Sequence, residues 1–276
     1  MPDRYSDRHS SDRHSELTSM LRTLKLPAMA ACFPDLALKA AKGGLTHEAF
    51  LYEVVLAECG QRDEHRTARL LHRSELPLEK TFRTFQLERF APQIRQQVER
   101  LRTGAFLAEA TNIVAVGTPG VGKSHLLAAI GHELVLQGRS VYWTSTASLV
   151  QRLLAAKRDL RLPQMLAQLD RFECLILDDI GYVQHDRDEM EVLFTLLAER
   201  YERLSVGLTT NLVFSDWTRI FKDPMTTLAA IDRVVHHSVI LDLMGMDSYR
   251  AKEAGADRER GPISPDSAAN NGQGSE

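Results

Sequence analysis

The segment 117–124, with the sequence GTPGVGKS, constrains the fold of this chain more than any other segment. It matches the pattern G-x-x-x-x-G-K-[ST], which connects a buried strand to the first turn of a helix. Both neighbours are present, because the apolar run Asn112–Val116 precedes the loop and a helical pattern over residues 125–136 follows it. The segment therefore predicts an α/β domain with a phosphate-binding loop.

The residue types in this loop suit phosphate. Glycine lets successive backbone N–H groups converge on phosphate oxygens, and the helix N-terminus adds favourable partial charge. Lys123 is predicted to bridge the β- and γ-phosphates, and the Ser124 hydroxyl to coordinate Mg²⁺. The alternative, a glycine-rich turn without a ligand, is disfavoured by the complete match. The predicted residues for binding ATP or GTP are Gly117, Thr118, Pro119, Gly120, Val121, Gly122, Lys123, Ser124 and His125.

Beyond residue 105 the sequence alternates between short β-branched runs and helical patterns. Such alternation predicts a parallel sheet covered by helices on both faces. In a sheet of this kind the strands end at the edge where the phosphate loop lies. The predicted strands are Asn112–Val116, 140–145, 174–178, 206–210 and 239–243.

Two acidic residues, Asp178 and Asp179, end the third predicted strand. We expect Asp178 to hold magnesium through water, and Asp179 to polarise the water that attacks the γ-phosphate. The alternative is an acidic pair that caps a helix after Gly181. Sites of this kind more often have Glu at the second position, and Asp179 is one carbon shorter.

Two polar residues further along the chain are candidates for sensing the γ-phosphate. Asn211 follows the fourth strand, where its amide could reach both the γ-phosphate and the attacking water; the alternative is a turn cap. Arg233 lies in a helical pattern over residues 228–237. From spacing alone it is either an arginine finger for a neighbouring subunit or the partner of a nearby acid such as Asp232.

The adjacent His236 and His237 have no zinc-site spacing. They are predicted to contact backbone carbonyls at a helix end. No metal other than Mg²⁺ is therefore predicted.

The chain is predicted to contain four regions. A repeated polar segment predicts a disordered leader over residues 1–15. Apolar residues at helical spacing, interrupted by Pro27 and by Gly43 and Gly44, predict a small all-helical domain over 16–104. The α/β core is predicted over 105–252, and a Gly- and Pro-rich flexible tail over 253–276.

Composition bounds the class of protein. The 43% hydrophobic and 26% charged residues are typical of globular proteins. The three cysteines form no C-x-x-C pair, which excludes a disulfide framework and a zinc knuckle. Neither a signal peptide nor an apolar run of about 18 residues is present. We expect a soluble, cytoplasmic protein without a membrane span.

The net charge of −3 argues against a uniformly basic DNA-binding protein. Residues 16–104 nevertheless contain 14 Lys and Arg against 11 Asp and Glu. Four arginines recur at i, i+4, i+7 and i+11, which predicts a stripe about 16 Å long on one helix. Such a stripe can line duplex DNA irrespective of sequence; the alternative is an ordinary solvated face. The stripe consists of Arg62, Arg66, Arg69 and Arg73.

Several segments together resemble the IstB-like ATP-binding proteins, the transposition helper ATPases of one class of bacterial insertion sequence. They are GTPGVGKSHL, LILDDIGY, ERYERLSVGLTTNLVFSDW, and LAAIDRVVHHSVILDL followed by DSYRAK. In the N-terminal part, LKLPAMAACFPDLAL and LPLEKTFRTF are similar to the helical domain that precedes the ATPase core of this family. The resemblance covers about residues 20–252.

The resemblance implies an AAA+ P-loop NTPase core with strand order 5-1-4-3-2 and no full C-terminal lid. It implies rings or spirals of identical subunits around double-stranded DNA, and a partner transposase encoded by the same element. Transferred to matching positions, Lys123 and Ser124 belong to Walker A, and Asp178 and Asp179 to Walker B. Asn211 falls at sensor 1 and Arg233 at the arginine finger.

These features predict a Mg²⁺-dependent ATPase that assembles on DNA when ATP is bound, releases DNA after hydrolysis, and regulates a transposase. The alternative is a replicative helicase loader of the DnaC type, which the segment HHS after Arg233 disfavours. A small-molecule P-loop kinase is a third class. The position of Arg233 and the short region after the fifth strand argue against it.

Overall fold

The computed structural model describes residues 4–181, 187–219, 232–246 and 248. The chain divides into two compact units, Met1–His72 and Arg73–Glu276. The predicted division into a helical domain over residues 16–104 and an α/β core over 105–252 stays a prediction.

The first unit is helical and contains α1 (Arg4–Thr23), α2 (Pro27–Gly43) and most of α3 (His47–Ser74). Helix α1 packs against α2, where the His14 ring stacks on Phe33 at 5.4 Å between centroids. Helix α1 includes residues 4–15, where the sequence predicts a disordered leader. Helix α2 ends where the sequence predicts, because Gly44 adopts a φ of 63°.

The start of α2 is held by a side chain from α3. One carboxylate oxygen of Glu58 accepts the backbone N–H groups of Ala28 (2.9 Å) and Met29 (3.2 Å). Its other oxygen accepts from Nε of Arg62 at 2.9 Å. Burial raises the pKa of Glu58, but these hydrogen bonds outweigh burial and leave the pKa below its ordinary value. A buried carboxylate therefore caps α2 in place of a local capping residue.

The apolar face of α3 is largely exposed. Tyr52, Val55 and Leu56 lie at helical spacing on one apolar face of α3, yet they are 64%, 42% and 50% exposed. Val54 and Glu58 are buried instead. This orientation follows from the capping contact, because Glu58 must face α2 to reach its first turn.

The second unit is built on a parallel sheet of five strands. The strands are β1 (Asn112–Val116), β2 (Val141–Ser145), β3 (Cys174–Ile180), β4 (Ser205–Thr210) and β5 (Ser238–Asp242). Their spatial order is β2-β3-β4-β1-β5, which confirms the predicted order 5-1-4-3-2. Since all pairs are parallel, the carboxyl ends of the strands share one edge.

Helices cover the two faces of this sheet. One face is covered by α6 (Thr146–Arg158) and α8 (Arg187–Arg200), with α7 (Leu162–Leu169) packed on α6. The other face is covered by α5 (Lys123–Leu136) and α4 (Pro92–Arg102). The strand side chains alternate between these layers; Leu175 and Leu177 enter the core beneath α6 and α8.

A connecting strap, residues 75–90, lies against the helix that follows the phosphate loop. Leu76 is buried, and its Cδ2 would be 2.9 Å from a Cβ added to Gly131 in α5. The Phe85 ring lies 5.1 Å from the His125 ring between centroids. The strap therefore packs with the α/β core, although the sequence places it in the preceding helical domain.

Within the described part of the chain, no helix is both long and apolar enough to cross a membrane. The helix predicted over residues 228–237 is described only from residue 232, and residues 232–235 are helical. The predicted tail, 253–276, lies outside the described residues.

Candidate functional site

The phosphate loop has a backbone that only glycine accommodates well. Gly120 and Gly122 have φ angles of 85° and 103°, a region where a Cβ collides with the backbone. At Gly117 an added Cβ would lie 3.0 Å from side-chain atoms of both Leu243 and Val121. The loop is also tied to the sheet, because the N–H of Gly117 donates to the carbonyl of Thr210 at 3.2 Å. The conformation is thus fixed by neighbouring strands.

Lys123 is the first residue of α5 and is 6% exposed. Its Nζ donates to the carbonyl oxygens of Gly117 at 2.8 Å and Thr118 at 3.0 Å. The ammonium group therefore folds back over the loop. Ser124 follows in the first turn of the helix and is half-buried, while Thr118 and Pro119 are exposed.

His125 faces the strap. Its Nε2 lies 3.1 Å from the carbonyl oxygen of Thr81 and 3.1 Å from Oγ1 of Thr84. Burial lowers the pKa of His125, and nearby Lys80 lowers it further, against the opposing hydrogen bond to Thr81. Its ring is thus used to join the strap to α5, a role that the sequence analysis does not assign.

The two acids at the end of β3 are joined by a threonine from β4. The hydroxyl of Thr209 donates to Oδ1 of Asp178 at 2.6 Å and accepts the backbone N–H of Asp179 at 2.8 Å. Asp178 is half-buried and Asp179 is exposed, with a φ of 59°. The register between β3 and β4 shifts between Leu177 and Ile180. Sequence reasoning missed this bridge because it joins residues 30 positions apart.

Asn211 lies directly after β4, at the edge of the sheet that carries the phosphate loop. Its Oδ1 is buried and has no hydrogen-bond partner within the protein. A buried amide oxygen without a partner is costly, so this atom is suited to a ligand or water at the sheet edge.

Arg233 lies at the opposite edge of the sheet. Nδ2 of Asn112, the first residue of β1, donates to the carbonyl oxygens of Val234 at 3.2 Å and Arg233 at 3.4 Å. The phosphate loop follows the other end of β1, a strand about 16 Å long at its usual rise. The guanidinium of Arg233 lies 4.6 Å from the centroid of the Phe194 ring. The structure therefore does not bring the backbone of Arg233 to the phosphate loop of its own chain.

The four predicted DNA-contacting arginines all lie on α3 and are exposed. Arg62 donates to Glu58 and, at 2.8 Å, to the carbonyl of Lys25. In the second unit, the guanidinium of Arg73 lies 5.7 Å from the Phe172 ring centroid. Arg69 donates from Nε to the carbonyl of His65 within its own helix at 3.3 Å, and Arg66 is exposed.

The two adjacent histidines have side-chain partners, where the sequence predicts backbone carbonyls. Nδ1 of His236 lies 3.4 Å from the hydroxyl of Tyr201, and Nε2 of His237 lies 3.2 Å from Oε1 of Glu202. The side chains of Glu202, His236 and His237 are exposed, with ligand atoms within 4.8 Å of one another. No short-range spacing in the sequence indicates this cluster.

The residues at the carboxyl edge of the sheet fit a nucleotide with a magnesium ion. The loop offers glycine backbone and one lysine ammonium group for phosphate, and a hydroxyl and a carboxylate are oxygen ligands that Mg²⁺ accepts. The unpartnered Oδ1 of Asn211 adds a hydrogen-bond acceptor at this edge.

Comparison with known proteins agrees with this geometry. The family model described as IstB-like ATP binding protein matches residues 19–256. A putative insertion sequence ATP-binding protein of Sinorhizobium fredii is 41% identical over 255 residues, which are 92% of this chain and 85% of that protein. The insertion sequence IS21 putative ATP-binding protein of Pseudomonas aeruginosa is 36% identical over 263 residues, 94% of this chain and 98% of that protein.

Solved structures support the fold. AMPPCP-bound DnaA from Aquifex aeolicus superposes with a TM-score of 0.52 at 16% identity, over 68% of this chain and 57% of that chain. DnaI superposes with a TM-score of 0.50 at 20% identity, over 61% of this chain and 95% of that chain. These likenesses identify an AAA+ fold. Together with the family match, they show that this chain belongs to the IstB-like ATP binding proteins and is an ATP-binding AAA+ protein.

Proposed function

We propose that this protein is a Mg²⁺-dependent ATPase that assembles on double-stranded DNA in its ATP-bound form and regulates the transposase of its own insertion sequence, in the cytoplasm. The observation that carries the proposal is the glycine-built phosphate loop, placed at one sheet edge with Asp178, Asp179 and Asn211. Insertion-sequence ATP-binding proteins among the relatives support the link to transposition.

The loop residues would hold ATP, and each neighbouring side chain would have one task. Lys123 would turn its ammonium group from the loop carbonyls towards the β- and γ-phosphates. Ser124 and Asp178 would hold Mg²⁺, which supplies charge stabilisation to the phosphates when bound. Asp179 would accept a proton from the attacking water, and Oδ1 of Asn211 would orient that water by accepting its hydrogen bond.

Arg233 is proposed to act on the nucleotide of a neighbouring subunit. Its backbone lies at the amino edge of the sheet, away from the phosphate loop of the same chain. If Arg233 contacts a γ-phosphate, that phosphate therefore belongs to the nucleotide of a neighbouring subunit. Self-assembly into a ring or spiral would supply such a neighbour.

DNA contact is proposed for the whole arginine stripe on α3, and its test replaces Arg66 and Arg69. Arg62 is used to hold α2 and α3 together, and Arg73 lies against Phe172. Replacing Arg66 and Arg69 by Ala should weaken duplex binding. It should also reduce the slope of log affinity against log salt concentration by about two, which is about one for each lost phosphate contact. The control replaces Lys39 and Lys42, two exposed cations on α2, by Ala. It removes the same amount of charge and should bind duplex DNA like the wild type. Equal affinities and slopes for all three proteins would remove the stripe from the DNA surface.

ATP control of assembly is tested with Lys123→Ala. The variant should lose ATP-stimulated assembly on duplex DNA, measured by size-exclusion chromatography with light scattering. The wild type without nucleotide gives the baseline. Assembly of Lys123→Ala to the wild-type extent with ATP would show that nucleotide does not control it.

The transposase partnership is tested by co-purification with the product of the neighbouring gene, with and without ATP. We expect capture that increases with ATP and that Lys123→Ala reduces. A neighbouring gene that does not encode a transposase, together with capture of a replicative helicase, would favour the helicase-loader alternative.

A further inference from the structure

We propose that Thr209 is a positioning residue of the ATPase site, which uses one hydroxyl to hold the side chain of Asp178 and the backbone of Asp179 in a fixed relation. The inference rests on the proposed function, because it assigns the two acids to metal binding and water activation. It adds a residue that does not itself touch nucleotide or metal.

The two hydrogen bonds of Thr209 are directional. A hydroxyl has one proton, so the proton that Thr209 donates to Oδ1 of Asp178 at 2.6 Å leaves an oxygen lone pair for the N–H of Asp179 at 2.8 Å. Thr209 itself is 0% exposed. Since buried side chains have few alternative rotamers, the hydroxyl is held in place by the packing of β4.

The bridge lies where the sheet is irregular. The shift in register between Leu177 and Ile180 takes the two acids out of regular pairing with β4. Asp179 has a φ of 59°, a left-handed conformation that L-residues seldom adopt. The hydrogen bond from its N–H to Thr209 stabilises that conformation at the irregular position of the strand.

The position of the Asp179 backbone matters more than it would for a glutamate at the same site, because the aspartate side chain is shorter. Aspartate has one fewer side-chain bond than glutamate and cannot search as widely for the attacking water. Its reach is therefore set by its backbone, which Thr209 holds. By donating to Oδ1 of Asp178, Thr209 also leaves Oδ2 as the carboxylate oxygen available for the magnesium shell.

The carbonyl of Asp178 has a separate partner that offers a matched control. Thr146, at the start of α6 and 1% exposed, donates its hydroxyl to this carbonyl at 3.0 Å. Thr146→Val removes a buried hydroxyl hydrogen bond near the same acid. It leaves the carboxylate of Asp178 and the N–H of Asp179 with Thr209.

The experiment compares Thr209→Val, Thr209→Ser and Thr146→Val with the wild type in the full chain. The first readout is hydrogen exchange of the Asp179 amide, followed by NMR with ¹⁵N-aspartate labelling. The second is the affinity for ATP with and without Mg²⁺, and the third is the turnover number and KM for ATP.

For Thr209→Val we expect Asp179 amide exchange to accelerate at least about tenfold and turnover to fall about tenfold or more, with KM nearly unchanged. The advantage in ATP affinity that Mg²⁺ provides should also shrink. Thr209→Ser should restore all three, because it keeps the hydroxyl. Thr146→Val should match Thr209→Val in overall stability without accelerating Asp179 exchange selectively.

The proposal is overturned if Thr209→Val keeps wild-type turnover, or if Thr209→Ser fails to restore it. It is also overturned if Thr146→Val reproduces every change, since a general loss of stability would then explain them. An inactive wild type would refute the proposed ATPase function, whereas amide exchange would still report whether Thr209 holds Asp179.

Discussion

Asn112 links three segments of the second unit, and its removal should have a large effect on stability. The residue is 7% exposed at the start of β1. Its Oδ1 accepts the N–H of Val206 at 2.9 Å, and its Nδ2 donates to Val234 at 3.2 Å and to Arg233 at 3.4 Å. One amide thus ties β1 to β4 and to the segment that contains Arg233.

The expected loss for Asn112→Ala follows from these contacts. Leaving the buried N–H of Val206 without a partner costs about 2 kcal/mol, and losing the hydrogen bond from Nδ2 to Val234 costs about 1 kcal/mol. We therefore expect the free energy of unfolding to fall by about 3 kcal/mol. For a unit of this size that corresponds to a decrease in Tm of about 6–12 °C.

Urea denaturation followed by tryptophan fluorescence can measure this loss. Both tryptophans of the chain, Trp143 and Trp217, are buried in the second unit and report its unfolding. Gln137→Ala is the control, because it removes an exposed hydrogen bond to the carbonyl of Arg102 and should cost about 0.5 kcal/mol or less. A loss for Asn112→Ala that is no larger than the control would refute the reasoning.

Two further predictions concern stability. An added Cβ meets nothing within 4 Å at Gly60, so Gly60→Ala should stabilise α3 by up to about 1 kcal/mol; Gly131→Ala brings Cβ to 2.9 Å from Leu76 and should destabilise by about 1–2 kcal/mol. Urea denaturation followed by circular dichroism measures both changes in the free energy of unfolding. Changes of the same sign for the two variants would contradict the packing argument. Because burial lowers the pKa of His125 below 6.5, the unfolded chain binds its proton more readily, and stability should fall as pH drops from about 6.5 through the lower folded pKa. His125→Gln should flatten that part of the stability–pH curve, and an unchanged slope would count against burial as the cause.

The phosphate loop and the sheet are predictable because their signals are local. Glycines at 120 and 122 need positive φ, and the apolar strands keep regular spacing between helical patterns. The strand order followed from the family resemblance, and the structure confirms it. The predicted and observed strands differ by only one or two residues at their ends, as at β3, which continues to Ile180 beyond the predicted end at 178.

The contacts that arrange the site are not predictable from local patterns. Thr209 on β4 contacts Asp178 and Asp179 on the neighbouring strand β3. Glu58 contacts Ala28, which lies 30 residues earlier in the chain, and this contact decides which side of α3 is buried. The strap is assigned by sequence to the helical domain, because nothing near Phe85 indicates its contact with His125. Each depends on a tertiary contact between residues far apart in sequence.

Strand β1 separates Arg233 from the phosphate loop of the same chain, and this separation has a consequence for the number of complete sites in an assembly. The backbone of Arg233 lies at one edge of the sheet and the phosphate loop at the other. Under the role proposed for Arg233, a complete site takes its phosphate loop from one chain and its arginine from a second chain. A closed ring of n subunits then has n complete sites, whereas an open spiral has n − 1 and ends in a site without its arginine. Counting hydrolysed against bound nucleotide per assembly would thus distinguish a ring from a spiral without imaging.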